Sequence, residues 1–166
     1  MNILVIGQCT LHWGRMEFGN IGNYYIIEPF MRELHKAFPG SIIKTTMQMS
    51  ERFCKVEKVS VIGMDLYYGW NDDLVLAKKE LTIAQKYRES NKLTEKTAYI
   101  EEVLNADLVV DFSGDIWGDN ANFLGDNRLL VGLIKDRVAQ LLGKKVVMLA
   151  GSPGPFSNSE ILRFAK

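Results

Sequence analysis

The chain has 166 residues, 47% of them hydrophobic, enough for one buried core at the usual size of a single domain. Twenty basic and twenty acidic side chains leave no formal net charge, so no global field draws the chain to nucleic acid or to an anionic membrane. Cys9 and Cys54 are too few for a disulfide framework and belong to no Cys/His metal pattern. With no basic leader at residues 1–7 and no apolar run near the roughly 18 residues of a membrane span, the expectation is a soluble, cytoplasmic, single domain over residues 1–166.

Asn2 to Ile6 reads as a first strand, followed by a long loop holding His12, Trp13, Arg15 and the run Gly19-Asn20-Ile21-Gly22-Asn23. Ile27, Phe30, Met31, Leu34 and Phe38 then fall on one face at the helical period. Pro29 allows two starts: near Glu28, with the proline in the first turn, or near Asn23, with a kink that costs about 3 kcal/mol. The earlier start is favoured. Phe38-Pro39-Gly40 stops the helix, and Ser41 to Met47 reads as the second strand. Mixed charge over residues 50–60 precedes a third strand, Val59 to Ile62.

After Gly63 to Trp70, Asn71 or Asp72 can cap a helix through Leu74, Ala77, Leu81, Ala84 and Tyr87. Its other face, with Lys78, Lys79, Glu80 and Lys86, reads as solvated surface. A shorter helix from Glu95 to Leu104 leads to a strand at Leu108 to Asp111. A longer helix, from about Leu124 to Leu142, ends at Gly143, and Lys145 to Leu149 is the last strand. Ser157 to Lys166 looks like the opening of another crossover helix, and a βα unit with no strand after it suggests half of something larger, or a partner that completes it.

Three apolar segments run straight into polar turns: the first strand into residues 7–23, Leu108-Val109-Val110 into Asp111-Phe112-Ser113-Gly114-Asp115, and Val146 to Leu149 into Ala150-Gly151-Ser152-Pro153-Gly154-Pro155. Short apolar runs without alternation are what strands covered on both faces look like, and helices between them make right-handed crossovers of a mainly parallel sheet. The fold class is α/β. All three turns would gather at the carboxyl edge of the sheet, where ligand crevices lie in such folds.

Together the three turns resemble those of the polysaccharide pyruvyl transferase family. Gly19-Asn20-Ile21-Gly22-Asn23 is similar to that family's Gly-Asn-x-Gly-Asp turn, with Asn23 in place of the Asp. Asp107 to Asp115 resembles its segment ending in Gly-Gly-Asp, with Ser113 in place of the first Gly, and Gly151 to Phe156 resembles its Ser-x-Gly-Pro turn. The resemblance implies a Rossmann-like three-layer α/β/α domain, the N-terminal half of a GT-B-like two-domain transferase. It further implies transfer of pyruvate from phosphoenolpyruvate, as donor substrate and with no cofactor, to a sugar or polysaccharide precursor. The product is a ketal, and the C-terminal half holds much of the phosphoenolpyruvate contact.

Chemistry then assigns candidate roles. Asp115 is the catalytic candidate, a carboxylate able to take a proton from a sugar hydroxyl, against the alternative of an Asp that bonds its own turn. Gly19, Asn20, Gly22 and Asn23 form a substrate-binding corner at a helix N-terminus, against a plain cap. Ser113, Gly114, Ser152 and Gly154 would line the cleft. Arg15 and His12 are anion contacts in a loop long enough to be functional, against an ordinary surface loop.

Asp107, Asp111, Asp115 and Asp119 recur every four residues, a spacing that builds no oxygen cage across a strand and loop, so no metal is expected. Ser152 is in no Gly-x-Ser-x-Gly arrangement and is not read as a hydrolase nucleophile. His35 reads as a packing or surface residue, and Tyr67, Tyr68 and Trp70 as packing aromatics. The competing readings are a non-catalytic Rossmann-like module for a sugar or nucleotide and a GT-B glycosyltransferase half-domain.

Overall fold

The computed structural model describes residues 1–7, 21–63, 74–112, 118–119, 127–149 and 154–166, apart from the side chains of Ile21 and Asn23. Five strands form one all-parallel sheet: β1 (Asn2–Ile6), β2 (Ile42–Thr45), β3 (Val59–Val61), β4 (Leu108–Asp111) and β5 (Lys145–Met148), in the order β3-β2-β1-β4-β5. Among the described residues six helices accompany them: α1 (Ile21–Ala37), α2 (Glu51–Glu57), α3 (Leu74–Ser90), α4 (Ala98–Asn105), α5 (Arg128–Leu141) and α6 (Ser159–Ala165).

The order reverses direction at β1. Right-handed crossovers stepping outward from β1 to β3 put their helices on one face of the sheet, and the same hand returning through β4 to β5 uses the other. Core packing follows that division. Ile3 and Val5 of β1 pack with Ile27, Met31 and Leu34 of α1 and Phe53 of α2. Leu4 and Ile6 point the opposite way and pack with residues of α3, α4, α5 and α6. Strict alternation of side chains along a strand therefore feeds two cores from one apolar run. Each fully buried Leu or Ile contributes roughly 1.5–3 kcal/mol.

Local signals account for the helix ends. Ser50 caps α2 by accepting from Phe53 N, and Thr97 caps α4 by accepting from Ile100 N. Gly143, at φ +82°, follows α5 as a left-handed residue that glycine tolerates best.

Helix α1 starts at Ile21 and runs through Pro29, in line with the favoured earlier start, and Gly22 and Asn23 lie in its first turn. Two expectations need correction. The charged stretch of residues 50–60 holds a helix, α2, which its cap announces and its charge conceals. Coverage of every strand on both faces fails at β5, where Val147 and Met148 are exposed. β5 is one edge strand of the sheet.

Among the described residues no helix is long and apolar enough to cross a membrane.

Candidate functional site

All five strands run the same way, so the chain leaves β1, β4 and β5 from one edge of the sheet. Register brings those exits side by side: Ile6 pairs with Asp111, and Asp111 with Met148. The backbone continues the pairing past the strands, with Phe112 N donating to Ile6 O at 2.6 Å and Leu149 N to Asp111 O at 2.9 Å. Between β1 and β4 lies the point where strand order reverses, the crevice position of open α/β sheets.

Gly7 makes this approach possible. A Cβ at position 7 would lie 2.0 Å from the Phe112 carbonyl oxygen, so only glycine lets the chains leave β1 and β4 this close together. Phe112 is fully buried beneath the α1 face.

The connections after β4 and β5 are also tied to each other. Asp119 N donates to Pro155 O at 2.9 Å, and Ser157 N donates to the Asp119 carboxylate at 3.0 and 3.2 Å. Gly154 sits beside this clamp at φ +90°, a backbone state that suits glycine. Asn158 then caps α6 through Glu160 N and Ile161 N.

Of the candidate residues, His12, Arg15, Gly19, Asn20, Ser113, Gly114, Asp115 and Ser152 lie outside the described residues. Gly22 is exposed in the first turn of α1, the turn whose free N–H groups favour an anion. Asn23 shares that turn. Gly154 is half-buried next to the Asp119 clamp. His35 packs as expected, its Nε2 donating to the Glu57 carbonyl at 2.9 Å. The aromatics Tyr67, Tyr68 and Trp70 are outside the described residues.

Behind the crevice lies a buried polar cluster that the sequence reading missed. Glu80, assigned there to the solvated face of its helix, is fully buried and paired with Lys135, itself 2% exposed. Thr97 Oγ1 donates to the other Glu80 oxygen at 2.6 Å. The Lys135 ammonium stands 4.3 Å from the Tyr99 ring centroid, and the Tyr99 hydroxyl donates to the Lys135 carbonyl at 3.0 Å. Burial, then the charges of Asp136, Glu80 and Asp111, pushes the Tyr99 phenol well above its ordinary range. Asp111, the last residue of β4, and Asp136 of α5 are buried in contact with each other. Burial first, then the neighbouring Asp111 carboxyl, raises the Asp136 carboxyl well above the usual carboxylate range.

The signal for Glu80 was present: it stands three residues after Ala77 and four before Ala84, on the buried stripe itself. For Lys135 and Asp136 the signal was the run before them: Leu129 to Ile134 is apolar or glycine at every position, so the helix has little wet side there and buries every residue through Asp136.

Open hollows occur elsewhere on the described surface. One of about 760 Å³ lies between α3, α5, α6 and β5, with Arg137, Arg163 and Lys166 among its walls. Another, of about 290 Å³, lies at the amino edge of the sheet beside the Lys44–Glu102 ion pair. No group of three or more His, Cys, Asp or Glu suited to a metal ion occurs among the described residues. Comparison with family models, curated proteins and solved structures returns no significant match to this chain.

Proposed function

We propose that the chain is a Rossmann-like domain of the polysaccharide pyruvyl transferase type, the N-terminal half of a two-domain enzyme that works at the carboxyl edge of its sheet. One observation carries this reading: the three segments whose residues resemble that family leave β1, β4 and β5 at one edge, around the point where strand order reverses. The Asp119 clamp, which couples the second and third of these connections, supports it.

In the reaction the methylene carbon of phosphoenolpyruvate takes a proton, two sugar oxygens bond to the neighbouring carbon, and the bond from that carbon to phosphate breaks. One hydroxyl proton balances the methyl group formed, and the other leaves with phosphate or the medium. Asp115 accepts a hydroxyl proton or orients the hydroxyl. Asn20 and Asn23 bond further hydroxyls, and Arg15 and His12 hold the donor's anionic groups. The backbone at Gly19, Gly22, Ser113, Gly114, Ser152 and Gly154 lets substrate approach closely. These residues include no evident general acid, so the isolated chain is expected to bind without turnover.

Titration calorimetry with phosphoenolpyruvate, free sugars and nucleotide sugars tests the reading. Binding of sugar or phosphoenolpyruvate without nucleotide preference, weakened by Asp115→Asn, supports it. Selective nucleotide-sugar binding moves the chain to a glycosyltransferase half, and measurable pyruvyl transfer by residues 1–166 alone rejects the expected inactivity.

A further inference from the structure

The two edges of the sheet differ. At the β3 edge the strand is only 3 residues long and Val59 is 6% exposed. At the β5 edge Val147 and Met148 are 49% and 39% exposed. Ladder geometry identifies the backbone groups that are open there. Leu149 N bonds to Asp111 O, and register pairs Asp111 with Met148. Lys145, Val147 and Leu149 therefore turn their N–H and C=O groups towards β4, and Val146 and Met148 turn theirs away from the sheet. Those outward groups have no hydrogen-bond partner among the described residues. Proline and bulges keep edge strands from pairing, and Lys145–Met148 has neither; its guard is the exposed Lys145 at the strand's start.

Charge beside this edge is of one sign. The groove of about 760 Å³ is lined by Val146 and Met148 together with Arg137, Arg163 and Lys166. None of these cations forms an ion pair among the described residues: Arg137 bonds the Gln140 amide, and Arg163 lies over the Phe164 ring. The acid in the same walls, Asp136, is buried, and Glu160 of α6 is taken by Lys78. Side chains alternate along a strand, so Val147 projects on the opposite face of the sheet from the groove.

We propose that the free edge of β5 is a docking site for an extended acidic segment of a partner polypeptide, which adds to the sheet as a further strand. The open N–H and C=O groups of Val146 and Met148 supply its main-chain bonds. Alternation sorts its side chains: apolar ones fall beside Val147 on one face, and acidic ones on the other, towards the unpaired cations of the groove. A second copy of this chain is a poorer occupant, because a two-fold axis at Val147 sets two cationic grooves side by side. The inference goes beyond the proposed function and does not depend on it.

Two synthetic peptides test it, acetyl-Glu-Val-Glu-Val-Glu-Val-amide and its counterpart with Lys for every Glu, by calorimetry and by amide exchange of the labelled chain. The acidic peptide is expected to bind saturably and to slow exchange at Val146 and Met148. Val61, whose N–H faces the β3 edge, should keep its rate. The basic peptide should not bind. Arg137→Glu combined with Arg163→Glu, both exposed, should weaken the acidic peptide by at least about fivefold. Met148→Pro removes an outward N–H, leaves the bonds to β4 and should abolish binding.

No binding of the acidic peptide, equal binding of the basic one, or slowed exchange at Val61 in place of Val146 and Met148 overturns the proposal. Binding left unchanged by the double charge variant or by Met148→Pro overturns it too. Protection of Val146 and Met148 that grows with concentration of the chain alone assigns the edge to a second copy and overturns the acidic partner. Should Met148→Pro fail to fold, the charge variant and the exchange at Val146 and Met148 decide.

Discussion

Gly7 and Lys135 each fill a position that one chemistry permits. At Gly7 a methyl group would meet backbone, the Phe112 carbonyl at 2.0 Å, and backbone in a sheet cannot turn aside as a flexible side chain would. Gly7→Ala is expected to destabilise the fold by about 1–3 kcal/mol, the usual range for overpacking, read from the urea midpoint at unchanged slope. A variant as stable as the wild type would mean that β1 and β4 do not approach this closely. Lys135 is a different case, because its loss leaves Glu80 charged and buried with Thr97 as its remaining donor among the described residues. Lys135→Met should cost about 3–5 kcal/mol, and Glu80→Gln added to it should recover much of that. Equal losses in the single and double variants would contradict the pairing.

At the scale of elements, caps and ties give the sharper expectations. Ser50 satisfies Phe53 N at the start of a helix of only 7 residues. Ser50→Ala should cost about 1 kcal/mol, visible as faster amide exchange at Phe53 before any global unfolding. Asp119 joins the connection after β4 to the one after β5 through Pro155 and Ser157. Asp119→Ala should free the Ser157 amide to exchange and leave the strand amides protected, and an unchanged Ser157 amide would contradict the clamp. Strand identity was legible in the sequence because a run such as Leu108 to Asp111 is too short for a helix and ends at a turn. Strand ends were less so: Ser41 and Met47 fall outside β2, and Thr46 adds one further bond beyond it, its N–H donating to the Val5 carbonyl at 3.1 Å. Helix α2 was hidden because charge every second or third residue masks an amphipathic stripe carried by Phe53 alone among its apolar residues. Glu80 was misassigned because residue type was weighed above position; the helical period put it inside, and a lysine from another helix, which no local pattern reveals, made that burial tolerable.

For the whole molecule, parallel strands and right-handed crossovers turn three separated sequence segments into one edge, and that step follows from the strand pattern. The sequence could not reveal the buried acid pair, because Asp111 and Asp136 meet only after α5 folds onto β4. The central claim is that ligand chemistry belongs to the carboxyl edge around β1 and β4. Amide NMR of the labelled chain, titrated with phosphoenolpyruvate and then with free sugars, measures this directly. The account predicts shifts at Gly7, Phe112, Leu149 and the first turn of α1, with Asn2, Ile42 and Asn105 at the amino edge unmoved. Shifts confined to that amino edge, or to the groove beside α6, would contradict it.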